Sequence, residues 1–229
     1  MKFAKRAEGM KPSAIREILK AMSDPTLISL AGGNPDPESF PVKEMAEISQ
    51  NLFLNNAAKA LQYGITEGYT PLREQMKERL EKKFNINKEA NELIITTGGQ
   101  QGLDLTCRVL CNEGDIVVCE NPSFLGALNS FRSFGAELVG VPVDDDGMNM
   151  EELENVLKNT KNVKMIYTIP TFQNPMGVTM SLEKRKKMLA LAEKYDVIIL
   201  EDNPYGELRF KGDDIPTIKS LDTKGQVVY

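Results

Sequence analysis

The apolar residues of this chain recur in two spacings that predict alternating strands and helices. Met165–Ile169 and Val197–Leu200 are short runs of β-forming apolar residues, which is the pattern of parallel strands covered on both faces. Between them, Leu182–Tyr195 repeats its apolar residues at helical spacing, and Ser181 is a suitable N-cap. The stretch therefore predicts a strand–helix–strand unit with a right-handed crossover.

The same alternation continues through the rest of the sequence. Further strands are predicted at Leu93–Thr97, Ile116–Cys119 and Leu138–Val141. Helices are predicted at Ser13–Met22, Val42–Asn55, Pro71–Leu80, Gln101–Leu110 and Met150–Leu157, and another helix runs to Phe134. A last strand begins at Gln226, and the Lys184–Lys187 charge run is predicted to be solvated. Strands that alternate with helices predict an α/β fold with a mostly parallel sheet.

Polar side chains follow both strands of the strand–helix–strand unit. Thr171–Pro175 comes after the first strand and Glu201–Tyr205 after the second, and ligands of such sheets collect beyond the carboxyl ends of the strands. An aspartate there can keep a ring nitrogen protonated, and Asn and Tyr can bond a ring oxygen. Pyridoxal phosphate needs that set of partners. The alternative is that both loops are ordinary Asn/Pro/Gly turns.

Two strings in these loops resemble segments of the fold-type I, class I/II pyridoxal-phosphate-dependent aminotransferases: QNPMG at 173–177 and EDNPYG at 201–206. The resemblance implies that Asn174 and Tyr205 bond the phenolic oxygen of the cofactor and that Asp202 pairs with its pyridine nitrogen. It also implies the three-layer αβα large domain of that family.

A glycine-rich turn, Thr96–Gly102, leads from a predicted strand into a predicted helix. Unpaired N–H groups and the positive end of the helix dipole make such a turn a phosphate site, although it is neither GxGxxG nor a P-loop. The resemblance implies that Gly99 and Gln100 donate N–H groups to the 5′-phosphate. It also implies that Phe124, one turn into the next helix, stacks on the pyridine; the alternative for Phe124 is a core aromatic.

The N-terminal region carries two further parts of the resemblance. SLAGGNPDPESFP at 29–41 is by composition a Gly/Pro-rich loop, and it resembles the substrate-side loop of the aminoadipate/kynurenine-type branch, so that Gly33 and Asn34 border the substrate. Y-G-x-x-x-G-x-x-x-L-R from Tyr63 resembles a segment whose tyrosine reaches the cofactor phosphate of the neighbouring subunit; the alternative is a packing residue. The predicted domains are 1–41, a helix and substrate-side loop, and 42–229, an incomplete cofactor-binding domain.

Composition narrows the function classes. The 229 residues carry a net charge of −5, which argues against nucleic acid or an anionic membrane as the main partner. No apolar run approaches the ~20 residues of a membrane span. The absence of histidine excludes His-dependent triads. Three cysteines without zinc spacing indicate a reducing cytoplasm, and Asp144–Gly147 fails the EF-hand spacing, so no metal site is predicted.

The resemblance places a Ser-x-x-Lys segment shortly after the strand that begins at Gln226, and its lysine carries the cofactor as a Schiff base. No such segment occurs here. We therefore expect the N-terminal portion of an amino-acid:2-oxoacid aminotransferase with ping-pong kinetics, with no catalytic lysine and no C-terminal small domain in this chain. Alone it is predicted to be inactive. It is expected to be either one piece of an enzyme that a second polypeptide completes or the ordered part of a clipped or truncated protein, and its expected partners are a second copy, a complementary C-terminal polypeptide, or both. The alternatives are a carbon–sulfur β-lyase of the same fold and an inactive module that binds the cofactor or amino acids.

Overall fold

The structure, a computed structural model, describes Thr26, Ile28, Gly33 and residues 35–229. The predicted helix at Ser13–Met22 and the predicted substrate residue Asn34 lie outside these described residues. The chain divides into two compact units between Thr66 and Glu67, and each is described by itself below. The domain boundary that the sequence places after residue 41 stays a prediction.

The described part of the first unit is helical. A 3-10 helix, Pro37–Ser39, is capped by the Asp36 side chain, and helix α1 follows at Val42–Leu61. Asn56 has non-helical backbone angles and marks a kink in α1. The predicted end of this helix at Asn55 therefore lies at the kink, beyond which a second helical segment continues.

The second unit is built on a six-stranded sheet. Its strands are β1 (Ile116–Asn121), β2 (Glu137–Asp144), β3 (Gly147–Met148), β4 (Val163–Thr168), β5 (Ile198–Glu201) and β6 (Val227–Val228). They lie in the order β3-β2-β1-β4-β5-β6. All neighbouring pairs are parallel except β2 and β3, which are antiparallel. The predicted α/β fold with a mostly parallel sheet is confirmed.

Helices cover both faces of this sheet. The helices of this unit are α2 (Thr70–Phe84), α3 (Gly98–Leu110), α4 (Leu125–Ser133), α5 (Met150–Asn159), α6 (Leu182–Tyr195) and α7 (Ile218–Leu221), and α3 to α7 contribute to the two cores described next. Alternate residues of a strand point to opposite faces: Val118 and Ile166 pack with α5, α6 and α7, whereas Val117 and Met165 pack with α3 and α4. The result is the predicted three-layer αβα arrangement. No helix in the described residues is long and apolar enough to cross a bilayer.

Two local predictions are wrong. The strand predicted at Leu93–Thr97 is irregular, and no strand of the described chain pairs with it; an apolar run becomes a strand only where a neighbour accepts its backbone hydrogen bonds. The charge run at Lys184–Lys187 is not wholly solvated, because Arg185 is fully buried and Lys184 forms ion pairs with Asp144 at the end of β2 and with Asp146 in the turn that follows.

Candidate functional site

The carboxyl ends of three adjacent parallel strands bring polar side chains to one edge of the sheet. Glu120 is the last buried residue of β1, Thr168 ends β4, and Glu201 ends β5 and is followed by Asp202. Two buried side-chain oxygens at this edge, Oγ of Ser123 and Oδ1 of Asn203, lack a hydrogen-bond partner in the described part of the chain. Orphaned buried polar atoms are rare in native proteins, and a bound water or ion is one explanation for them.

Asp202 has one carboxylate oxygen engaged and one open. The Tyr167 hydroxyl donates to Oδ2 of Asp202 at 2.9 Å, and the Tyr167 ring packs edge-on against Phe131 with centroids 5.3 Å apart. Oδ1 of Asp202 receives no hydrogen bond from the described residues. Burial raises the pKa of Asp202, and the Tyr167 hydrogen bond opposes that rise. An open, partly desolvated carboxylate oxygen suits a cationic N–H donor.

The loops after β4 and β5 meet through Asn174 and Tyr205. The Asn174 side-chain amide donates to the Tyr205 hydroxyl at 3.3 Å. The turn around Asn174 is closed by backbone bonds from Gln173 N–H to the Val178 carbonyl at 2.8 Å and from Gly177 N–H to the Gln173 carbonyl at 2.6 Å. Asn174 and Tyr205 are therefore adjacent, as the resemblance implies for two residues that share one ligand oxygen.

The glycine-rich turn is the first turn of α3. The helix begins at Gly98, three residues before its predicted start, so Gly99 and Gln100 lie inside it. The leading N–H groups of a helix have no partner within the helix, and a Cβ built on Gly98 or Gly99 would meet no atom within 4 Å. This helix end therefore offers open backbone donors and the positive end of the dipole.

Phe124 lies beside that helix end. It is the N-cap of α4 rather than a residue one turn into it. A Cβ on Gly126 would collide with the Phe124 ring and would lie 3.0 Å from Oε1 of Gln100. The Gln100 side-chain amide also donates to the Gly126 carbonyl at 3.2 Å. Gly126 thus leaves the space in which the half-buried Phe124 ring and the start of α3 come together.

The buried side chain of Arg185 holds the loop after β4 by hydrogen bonds. Its guanidinium donates to the carbonyls of Pro170, Met180 and Pro216 and to the Thr171 hydroxyl, at 2.7–3.1 Å. Burial lowers the pKa of Arg185 to about 10, so it remains a cation at neutral pH. Sequence reasoning missed Arg185 because it lies inside a charge run.

Sequence reasoning also missed Tyr167, Glu120 and Gln173. Tyr167 lies within an apolar strand and reads as a core residue. Glu120 and Gln173 are polar residues next to predicted strand ends, and that position was the signal available for them.

Two predicted site residues belong to the first unit. Tyr63 is fully exposed, and a Cβ on Gly33 would meet no atom within 4 Å. Their assigned roles stay predictions, as do the ligand contacts assigned to the residues of the second unit.

Comparison with known proteins gives consistent matches over nearly the whole chain. The family model for aminotransferases of class I and II matches residues 25–228. An aromatic-amino-acid aminotransferase of Thermococcus litoralis is 49% identical over 99% of this chain and 55% of its own length.

Solved structures agree with the sequence matches. A kynurenine aminotransferase of Pyrococcus horikoshii, solved in complex with PMP, superposes with a TM-score of 0.93 at 47% identity over 99% of this chain and 57% of its own. An α-aminoadipate aminotransferase of Thermus thermophilus, complexed with N-(5′-phosphopyridoxyl)-L-leucine, gives 0.83 at 38% identity over 96% and 53%.

The chain spans little more than half the length of these relatives. The matched region nevertheless contains the whole edge of the sheet described above, and the family model extends over all the described strands. The resemblance first seen in QNPMG and EDNPYG is confirmed: the chain belongs to the class I and II aminotransferase family.

Proposed function

We propose that this chain is the pyridoxal-phosphate-binding part of an aminotransferase that moves an amino group between an amino acid and a 2-oxoacid. The observation that carries the proposal is the open Asp202 carboxylate oxygen at the same sheet edge as the Asn174–Tyr205 pair. When bound, this cofactor supplies an electron sink for the carbon that bears the amino group.

The residues fit the cofactor group by group. Asp202 accepts the N–H of a protonated pyridine, and Asn174 and Tyr205 donate to the phenolic oxygen. Open N–H groups at Gly99 and Gln100 receive the phosphate, and Phe124, beside them, covers a ring face. The orphaned Ser123 and Asn203 oxygens at this edge further support a ligand there.

Asp202 holds the proton on the ring nitrogen. A cation beside a carboxylate favours its charged form, so a protonated ring lowers the pKa of Asp202 and offsets the effect of burial. The Tyr167 hydroxyl stabilises the same charge from the other side. The chain's own contribution is thus to bind and orient the ring and to keep its nitrogen protonated.

The substrate class follows the relatives. Those proteins are named for aromatic amino acids, kynurenine and α-aminoadipate, and we infer an amino acid of that range together with a 2-oxoacid. Gly33 and Asn34 are proposed to border this substrate. The Schiff-base lysine is proposed to come from sequence outside these 229 residues.

We further infer a cytoplasmic homodimer. The full exposure of Tyr63 supports its assignment to the cofactor phosphate of the second subunit, because an exposed tyrosine is free to serve another chain.

A titration with pyridoxal 5′-phosphate, followed by the absorption of the cofactor, tests the proposal. The unchanged chain is expected to saturate at one cofactor per chain. Asp202→Asn is expected to weaken binding about 10- to 100-fold, since a charge-assisted hydrogen bond contributes about 1.5–3 kcal/mol. Asp213→Asn, which changes an exposed carboxylate, is the matched control and should bind like the unchanged chain. Equal affinity in all three proteins would refute the assignment of Asp202.

A further inference from the structure

Glu120 is a buried carboxylate held entirely by neutral donors. Its side chain is 2% exposed. It accepts the Thr168 hydroxyl at 2.7 Å, the Ile169 N–H at 3.1 Å and the Gln173 amide at 3.0 Å, and it forms no ion pair with the described residues. Burial raises its pKa to about 7. One carboxyl at the end of β1 therefore ties down both the end of β4 and the turn that follows.

Gln173 uses every polar atom of its buried side chain. Its amide N–H groups reach Glu120 and the Pro122 carbonyl, at 3.0 and 2.9 Å. Its amide oxygen accepts the Met176 N–H at 2.8 Å. The backbone of Gln173 also closes the turn, so both its side chain and its backbone are held by hydrogen bonds. Asn174 is the next residue along the chain.

Asn174 depends on that fixed neighbour. Within the described residues its side chain makes a single hydrogen bond, the 3.3 Å contact with Tyr205, which is longer than an ordinary N–H···O bond. One long hydrogen bond does not fix the direction of the Asn174 amide. That direction therefore also depends on how firmly the backbone of Asn174 is held.

We propose that Glu120 is a positioning residue that acts through Gln173 to aim the Asn174 amide at the oxygen of the bound ring. The proposal rests on the proposed function, because it presumes the pyridoxal phosphate site. The brace formed by Glu120 and Gln173 touches neither the ring nor the substrate; it acts only on the direction of one ligand hydrogen bond.

The test compares two ligands on a set of variants. Gln173→Met fills the same space without donors and is expected to weaken pyridoxal 5′-phosphate about five- to tenfold, the value of one well-aimed hydrogen bond. For 3-deoxypyridoxal 5′-phosphate, which lacks the ring oxygen, the same variant should bind like the unchanged chain. A loss that is equal for both ligands would mean that the brace merely supports the fold, and would overturn the proposal.

Two matched variants separate positioning from stability. Thr168→Val removes a different donor from the same carboxyl but leaves the link to Gln173, so it should lower Tm and leave both affinities unchanged. Glu120→Gln can keep all three contacts if the Thr168 hydroxyl turns to accept, and it should also bind both ligands normally. If Thr168→Val shows the ligand-selective loss of Gln173→Met, the proposed route through Gln173 is wrong.

A second variant covers the case in which Gln173→Met does not fold. Gln173→Leu is shorter and likewise removes the donor to Glu120 without adding a second titratable group, and the same ligand-selective loss is expected. Asp202→Asn separates a failure of the proposed function from a failure of the positioning proposal. If it weakens pyridoxal phosphate while both Gln173 variants bind normally, only the positioning proposal fails. If the unchanged chain does not bind pyridoxal phosphate, the proposed function fails and the positioning proposal with it.

Discussion

At the scale of single residues, the site depends on how charge is held at the end of β5. Asp202 is partly buried, which raises its pKa, and Tyr167 donates a hydrogen bond that lowers it again. Tyr167 itself is fixed by full burial and by the edge-on contact with Phe131. The tyrosine therefore orients Asp202 and favours its ionised form before any ligand arrives.

Removing that hydroxyl should weaken the site without disturbing the core. Tyr167→Phe keeps the ring contact with Phe131 but lets the pKa of Asp202 rise further. We expect the affinity for pyridoxal phosphate to fall about two- to tenfold at neutral pH, with the loss growing as the pH is lowered. Titrations at several pH values measure this, and Tyr69→Phe, at an exposed tyrosine, is the control. An affinity that does not change at any pH would contradict the role given to Tyr167.

Glu120 should leave a pH signature in stability. Its pKa is raised from 4.5 to about 7, so between these values the folded chain keeps a proton that the unfolded chain has lost. The free energy of unfolding then falls as the pH rises through this window. Glu120→Gln cannot ionise and should gain stability relative to the unchanged chain by up to about 3 kcal/mol at pH 8, and little at pH 4.5.

Urea unfolding of both proteins across this pH range measures the difference. Glu201, whose pKa is also raised to about 7, contributes equally to both proteins and cancels. Parallel stability curves for the two proteins would show that Glu120 does not titrate in this way.

The sequence predicts a site residue where its position next to a predicted strand end indicates its role. Asp202, Asn174 and Tyr205 stand in polar strings directly after apolar runs, so their meeting at a sheet edge is predictable. Tyr167 faces Asp202 from inside another strand, and only the register of β4 and β5, in which Tyr167 pairs with Leu200, brings the two together. That register depends on packing rather than on any local pattern.

At the scale of elements, helix α6 anchors the loop that carries Asn174. Ser181 caps the helix, and α6 spans the residues that its apolar spacing predicts. One turn in, Arg185 points inward and donates to three carbonyls. Among the described residues the carbonyls of Met180 and Pro216 have no other donor, whereas that of Pro170 also accepts the Met180 N–H. Buried carbonyl groups without donors are costly, which explains why this cation is tolerated in the core.

Replacing Arg185 should destabilise the second unit strongly. Arg185→Met fills much of the space but leaves the carbonyls of Met180 and Pro216 without donors among the described residues, and it removes one of the two donors to the Pro170 carbonyl. We expect a loss of roughly 3 kcal/mol or more in the free energy of unfolding. Lys186→Met, at the exposed next position, should change it by less than about 0.5 kcal/mol. Chemical denaturation of the two variants measures their free energies of unfolding. Small losses of similar size in both would show that Arg185 does not stabilise the fold.

Apolar periodicity located most elements but not their partners. The helices α5 and α6 and the strands β1, β2, β4 and β5 lie within a few residues of their predicted bounds. The predicted strand at Leu93–Thr97 is irregular because strand formation depends on a neighbour that local pattern does not reveal. The prediction that Arg185 is solvated was wrong for a similar reason, since its burial depends on carbonyls in the loop after β4 and in the loop before α7.

At the scale of the whole molecule, the chain carries apolar surface that a monomer seldom exposes. Along α1, exposed apolar side chains include Val42, Met45, Ile48, Phe53 and Leu54. β6 ends the sheet as an edge strand, and β6 has a strand neighbour on one side only within the described residues. Exposed apolar patches and open strand edges favour association.

We therefore expect the purified chain to associate with itself. Light scattering after size exclusion should give a mass above the 25.5 kDa of one chain, and Ile48→Lys, which places a charge in the apolar face of α1, should shift the mass towards the monomer. Lys43→Glu, which alters charge at an exposed position of the same helix, is the control. A single monomeric species for the unchanged chain would contradict this expectation.

The central claim is that Asp202 holds a protonated pyridine nitrogen. Its most direct test is the ¹⁵N NMR spectrum of ring-labelled pyridoxal 5′-phosphate bound to the unchanged chain and to Asp202→Asn. We predict that the ring nitrogen is protonated in the unchanged chain at a pH at which the free cofactor has lost that proton, and that it is unprotonated in the variant. A bound cofactor whose ring nitrogen is unprotonated in both proteins would contradict the account at its centre.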